Sequence, residues 1–237
     1  MDGAKKELEG GDGVFFDGIA HRYDGLNRII SLGMDSRWRR KAVDALDLSP
    51  NAEILDVATG TGDLAIAIAR RDPTVSVVGI DPSVGMLDVG RDKIAAADLT
   101  DRIEMIEGDG QDMPFDDDRF DGAVVSFGIR NFPDRLQGLH EMTRVVKPGG
   151  TVVILELREP DDGLIGTMSR WYVHGVVPRI GGLLSGRKEY EYLQESIAAF
   201  PPPEKFRALM TEVGLQDVES RPLTMGAVEI FVGRKPS

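Results

Sequence analysis

The segment Ile54-Leu-Asp-Val-Ala-Thr-Gly-Thr-Gly-Asp-Leu-Ala65 constrains this chain more than any other. Ile54–Val57 reads as a buried strand, Gly60 and Gly62 as a turn, and Asp63 as the start of a helix. A strand that passes through glycines into a helix leaves main-chain N–H groups open to a ligand, because no side chain stands in the way. Two acids then recur where later strands should end. Asp81 closes the apolar run Val75–Ile80 and lies 19 residues beyond Gly62, a spacing suited to gripping ribose hydroxyls. Asp109 follows Ile103–Glu107, where a carboxylate and nearby backbone can meet the polar edge of an adenine. The turn is expected to bind a nucleoside-like cofactor.

Spacing alone leaves the cofactor open. Gly60-x-Gly62-x-x-Ala65 also satisfies the dinucleotide fingerprint, and a tight strand-to-helix turn needs no ligand at all. Three features favour S-adenosylmethionine over NAD. Asp56 lies just before the turn, where an acid suits an ammonium and a sulfonium better than a pyrophosphate. Asp109 ends the third strand. After Gly150 the alternation of strand and helix lapses, so there is no second nucleotide-binding half. This ordering resembles the class I S-adenosylmethionine-dependent methyltransferases over residues 50–160.

With 237 residues the chain makes one domain with a full core. It has no cysteine and only three histidines, His21, His140 and His174, far apart; thiol chemistry is excluded and no metal is expected. The net charge is −12, with 20 Arg against 8 Lys, a balance that suits a salt-rich cytoplasm. Without a basic stripe, a nucleic-acid substrate is disfavoured. The polar start, Met1–Gly13, is expected to be neither a signal nor a transit peptide, and no 18-residue apolar run exists to span a bilayer. The expected location is cytoplasmic, at most peripheral at the inner face of a membrane.

The expected elements run as follows. Residues 1–12 form a disordered tail, and helices over Gly13–Ile30 and Ser36–Leu46 form a cap, with an exposed cluster at Arg37, Arg39, Arg40 and Lys41. Strands at Ile54–Val57, Val75–Ile80, Ile103–Glu107, Gly122–Phe127 and Thr151–Leu157 alternate with helices at Asp63–Arg71, Ser83–Ala96 and Arg135–Val146. That alternation implies α/β architecture, a Rossmann-like doubly wound parallel sheet. Lys147-Pro-Gly-Gly150 should turn the chain into the fifth strand. After a helix at Pro201–Val213, Val218–Pro222 and Ala227–Arg234 should pair antiparallel at the sheet edge. Residues 160–195 break the pattern with an apolar, aromatic insertion. It reads equally as a wall of a greasy pocket resting on a membrane surface and as a helix packed on the core.

Two further segments carry a closer resemblance. Tyr23-Asp24-x-x-Asn27-x-x-x-Ser31 continuing to Trp38, and Phe127-Gly-Ile-Arg-Asn-Phe-Pro133 with Arg144-Val-Val-Lys-Pro-Gly-Gly150, are similar to the ubiquinone/menaquinone biosynthesis C-methyltransferases. Similarity continues through Tyr190–Ser196 and Leu223–Val228 and so covers nearly the whole chain. It implies methylation of a polyprenylated quinol ring, most simply demethylmenaquinol to menaquinol, with S-adenosylmethionine as cofactor. The chain departs from the family at Leu26, Asp35, Arg158 and Phe231, where the family carries Met, His, Ser and His; the last three are expected on the acceptor side.

The resemblance also implies site residues. Thr59, Asp81, Asp109, Gly110 and Ser126 match cofactor-binding positions, with Asp56, Gly60 and Gly62 shaping the loop. Arg130 and Asn131 follow the fourth strand, at the edge where such sheets bind ligands. Arg130 would position a water or stabilise phenolate charge, since a guanidinium stays protonated and is a poor base. Tyr23 and Asp24 lie on the helix expected to close over the cofactor; taken alone they read as a packed tyrosine and a solvated acid. Other readings remain open: another lipophilic acceptor, an NAD-dependent oxidoreductase, or a binding module without turnover. Oligomeric state, a homodimer included, is open too. The Asn/Asp-Pro-Pro-Tyr loop of amino-methylating nucleic-acid enzymes is missing after the fourth strand.

Overall fold

The strands β1 (Glu53–Val57), β2 (Ser76–Asp81), β4 (Phe120–Ser126) and β5 (Val146–Leu157) are apolar along most of their length, the pattern of strands covered on both faces. In a computed structural model, which describes residues 14–18, 20–159 and 187–237, they lie parallel together with β3 (Ile103–Glu107), in the order β3-β2-β1-β4-β5. The chain then returns through β6 (Gln216–Leu223) and β7 (Val228–Arg234), which have no long helix between them. β7 pairs antiparallel with β5, and β6 forms the edge. This is the expected doubly wound sheet with its antiparallel margin. The tail expected at 1–12 and residues 160–186 of the expected insertion lie outside the described residues.

Successive residues of each strand point to opposite faces. Leu55, Val57, Val125 and Ile154 pack under α6 (Arg135–Val145) and α8 (Pro203–Glu212). Ile54, Val124, Val153 and Leu155 pack under α3 (Asp35–Ala45), α4 (Asp63–Arg71) and α5 (Val84–Ala96). Between Ala198 at the end of α7 (Arg187–Ala198) and the start of α8, Phe200 joins Phe206 and Phe231 in an aromatic cluster, with ring centroids 4.7–6.3 Å apart.

Three departures from expectation have a physical reason; the other boundaries shift by at most two residues. The single helix expected over Gly13–Ile30 is broken into α1 (Val14–Asp17) and α2 (Ala20–Ile30). At the break, Asp17 accepts hydrogen bonds from the Ser83 hydroxyl at 2.6 Å and the Gly85 N–H at 2.9 Å, tying the cap to the start of α5. Second, β4 stops at Ser126 because Phe127 turns to φ +61°. Third, Lys147–Gly150 bulges within the ladder rather than turning before it. Val146 still pairs with Phe120, pairing resumes at Thr151 with Gly122, and Gly149 at φ +79° takes the left-handed residue of the bulge.

Candidate active site

The carboxyl ends of β1, β2, β3 and β4 meet the cap in a cleft of two adjoining chambers. The outer chamber encloses about 640 Å³ including its mouth and is lined by Gly60, Asp81, Asp109, Gly110, Asn131 and Phe132 among others. The inner one, about 360 Å³ with its opening to solvent, reaches Asp56, Thr59 and Arg39. Tyr23, Ala58, Gly60, Ser126 and Phe127 border both, so they form the seam. Residues from Gly60 to Asn131, 71 positions apart in sequence, thus converge because parallel strands deliver all their carboxyl ends to one edge.

The glycine turn lies at the cleft, but its N–H groups are not left open as expected: Gly60 donates to Asp81 and Gly62 to the Thr59 carbonyl. Gly60 has φ +56°, and a Cβ placed there would meet no atom within 4 Å, so the backbone faces open space on the cleft. Its N–H donates to Asp81 Oδ2 at 2.8 Å, while Ser83 N–H donates to Asp81 Oδ1 at 2.9 Å. Burial nonetheless pushes the Asp81 carboxyl up to about 6, against the pull of those two bonds. Asp56 lies deeper and accepts the Thr59 hydroxyl at 2.7 Å; burial pushes it up to about 7. Asp109 accepts the Gln111 N–H at 2.9 Å and borders the outer chamber. Ser126 Oγ is buried with no hydrogen-bond partner. An orphaned hydroxyl at the seam, the Asp81 and Asp109 carboxyl groups in the outer chamber and Asp56 in the inner one form a polar set that fits a nucleoside joined to a cationic amino acid.

Other expected residues are placed differently. Gly62 has φ +75° and caps α4, but it packs toward Met105 and Ile94 and borders neither chamber. Asp24 turns away from the cleft: it accepts Thr61 Oγ1 at 2.6 Å and Lys93 Nζ at 2.7 Å, pinning α2 to the glycine turn. It borders a separate charged groove between α2, α3 and α4. Arg130 lies in the short 3-10 turn Ile129–Asn131 and is buried. Its Nη1 donates to Glu156 Oε1 and to the Phe127 carbonyl, both at 2.6 Å, and its own N–H donates to Glu156 Oε2 at 3.2 Å. Burial works against that charge, but Glu156 and then Tyr23 outweigh it, and the guanidinium is held above its ordinary value. Arg130 therefore braces the segment that carries Asn131 and borders neither chamber itself.

Tyr23 and Asn131 do meet at the outer chamber. Asn131 Oδ1 accepts the Tyr192 hydroxyl at 2.9 Å, a contact from α7 that sequence reading missed. Burial raises the Tyr192 phenol, with Arg130 opposing it. Phe16, edge-on to Tyr23 at 6.2 Å and to Tyr192 at 6.4 Å, ties the three rings together. Nothing in the spacing of Phe16, Phe127 and Phe132 marks them as one aromatic wall; the outer chamber brings them together. Tyr192 lies within Tyr190–Ser196, the one stretch of sequence that points to it.

The departures from the family pattern fall elsewhere than expected. Asp35 accepts the Ser31 hydroxyl at 3.0 Å and pairs with Arg39, and it borders the charged groove. Phe231 is buried in the aromatic cluster under α8. Arg158 pairs with buried Glu229 at 2.9 Å. None of the three borders the cleft among the described residues.

The chain is similar to known methyltransferases. The chain is 48% identical over 221 residues, 93% of its length and 94% of the relative's, to the ubiquinone/menaquinone biosynthesis C-methyltransferase UbiE of Geotalea daltonii. It is also 48% identical to the demethylmenaquinone methyltransferase of Deinococcus radiodurans, covering 93% of this chain and 90% of that one. Among solved structures, a SAM-dependent methyltransferase of Thermotoga maritima superposes with a TM-score of 0.65 at 17% identity, over 94% of this chain and 99% of the other, which shows the shared fold. The sequence matches the ubiE/COQ5 methyltransferase family over residues 5–235, and with the cleft built as described, the chain belongs to that family.

Proposed function

We propose that this enzyme transfers a methyl group from S-adenosylmethionine to a ring carbon of a polyprenylated quinol, most simply demethylmenaquinol. The observation that carries the reading is the two-chamber cleft, with Asp81 and Asp109 in the outer chamber, Asp56 in the inner one, and Tyr23 and Ser126 at the seam. Asp81 would hold the ribose hydroxyls, the Asp109–Gly110 turn the adenine, and Gly60 with Asp56 and Thr59 the amino-acid end. When bound, the cofactor supplies an electrophilic methyl group.

The residues contribute position and charge. An aromatic carbon attacks well only when held in line, so the walls Phe16, Phe127 and Phe132 serve to orient a flat ring. Tyr23 and the Asn131 amide, fixed by Tyr192, are set to hydrogen-bond a ring hydroxyl as it loses its proton, which raises electron density at the adjacent carbon. Arg130, its charge taken by Glu156, holds the turn that carries Asn131 in place. With the cofactor bound, these residues would hold the ring carbon in line with its methyl group, and the ring proton displaced by the new C–C bond would leave to solvent.

The test supplies purified protein with isotope-labelled S-adenosylmethionine and reduced demethylmenaquinone or a demethylated polyprenyl benzoquinol in detergent. Label on the naphthoquinol ring carbon by mass spectrometry is the expected result. Cofactor binding without label on either quinol would overturn the acceptor assignment, and thermal stabilisation by NAD alone would overturn the cofactor.

A further inference from the structure

The charge of this molecule is unevenly placed. Residues 20–46, which include α2 and α3, hold six bases and three acids, a net of +3; the remaining residues hold 22 bases and 37 acids, a net of −15. The acids of this segment are taken: Asp24 by Lys93, Asp35 by Arg39, and Asp44 by Arg71. Arg22, Arg28, Arg37, Arg40 and Lys41 are exposed and have no acid partner among the described residues, and Arg70 on the adjoining α4 joins them. Elsewhere most described cations hold an acid, as Arg119 holds Glu53 and Lys235 holds Asp118.

The same face presents apolar side chains. Three large hydrophobic residues among those described are exposed, and two of them sit here: Leu32 at 63% and Met225 at 57%. Each tips a turn with a positive φ, +52° at Leu32 and +55° at Met225, so neither can fold its side chain back along a regular element. Leu32 lies three residues before the start of α3. Met225 follows Thr224, whose hydroxyl accepts the indole N–H of Trp38 on α3 at 2.7 Å. Trp38 in turn stacks edge-on against Phe127, the ring at the seam of the cleft, at 6.0 Å.

We propose that the face formed by α2, α3 and the start of the α4–α3 groove, with the turns at Leu32 and Met225, docks on an anionic lipid bilayer. Unpaired cations draw the face to the headgroups, and two projecting apolar side chains enter the headgroup layer. The apolar tips decide between polyanions: a surface shaped only for nucleic-acid phosphates gains nothing from burying Leu32 and Met225. A protein of net charge −12 is otherwise repelled by such a membrane, so docking is confined to this face and sets the cleft wall Phe127 one ring away from it. The proposal holds whatever the acceptor is.

The test is sedimentation of the full chain with vesicles of phosphatidylcholine alone or mixed equally with phosphatidylglycerol, without any quinol. The protein should pellet with the mixed vesicles and be released on raising salt from about 0.05 to about 0.5 M. The triple variant Arg37→Glu/Arg40→Glu/Lys41→Glu should lose at least about thirtyfold in partitioning. Leu32→Ser with Met225→Ser should lose about tenfold while keeping the salt response. Unchanged binding of S-adenosylmethionine shows that each variant is folded, and if the triple variant fails there, Arg37→Gln/Arg40→Gln replaces it. The proposal is overturned if wild type stays with the supernatant, or if Lys205→Glu, on the opposite side of the sheet, costs as much as the triple variant. It is also overturned if duplex DNA is bound equally and the Leu32/Met225 pair changes nothing.

Discussion

Asp56 and Asp81 sit at the ends of neighbouring strands, where burial lifts them to about 7 and about 6 from an ordinary 3.8. Both are raised, so they favour the fold fully below about 4, and that contribution falls away as pH rises to about 7. A cationic ligand beside Asp56 favours its ionised form. Affinity for S-adenosylmethionine should therefore climb as pH rises from about 6 to 8 and then level off. Calorimetric titrations across that range check this, and Asp56→Asn should weaken binding about tenfold and flatten the profile. Arg130 poses a different question. Replacing it with Met strands the fully buried Glu156 carboxylate and should cost about 3–5 kcal/mol in urea unfolding, most of it recovered by Arg130→Met/Glu156→Leu. A purely catalytic arginine would lower turnover and leave the unfolding midpoint in place.

One element-level contact fixes the aromatic wall. Phe132, which follows the turn bearing Arg130 and Asn131, is gripped between two glycines from distant elements. A Cβ at Gly138 on α6 would lie 2.4 Å from its ring, and one at Gly110 after β3 would lie 2.6 Å from it. The slot closes because both partners lack a side chain, which puts the ring against the outer chamber. Gly138→Ala should cost about 1–3 kcal/mol of stability and push Phe132 into the cleft, raising the cofactor Kd. Phe132→Leu in the same chain should recover stability in a thermal melt; no recovery would mean that the helix, rather than the ring, bears the strain. A similar approach occurs at the ends of β1 and β4, where a Cβ at Gly128 would lie 2.5 Å from that of Ala58. There the backbone itself bends, with Ala58 at φ +51° and Phe127 at φ +61°.

At the scale of the whole molecule, the antiparallel margin is tied to the site by buried charge. Glu156 on β5 and Glu229 on β7 are directly opposite in register, and each is neutralised by its own arginine, Arg130 and Arg158. The line Arg130–Glu156 beside Glu229–Arg158 thus joins the turn behind the cleft to the last strand of the chain. Arg158, a departure from the family pattern, belongs to this margin. A double-mutant cycle of Arg158→Ser and Glu229→Gln should show coupling of at least about 1 kcal/mol. Additive effects would mean that the pair is incidental.

Local signals determined the sheet. Apolar runs of strand length, the glycine turn, and acids placed just after each strand reflect contacts between near neighbours, so Gly60, Asp81, Asp109 and the antiparallel end were all legible from the residues alone. Side-chain pairing across the fold was not. Arg130 reads as a free site cation until Glu156, 26 residues on, takes its charge, and Asp24 reads as a cap acid until Lys93 binds it. Tyr192 reaches Asn131 across 61 positions, and the positive φ of Ala58 and Phe127 leaves no mark in residue type. A chain specifies by itself what is close in sequence; which charges cancel, and which way a side chain faces, is decided only when distant segments meet in a medium of low dielectric.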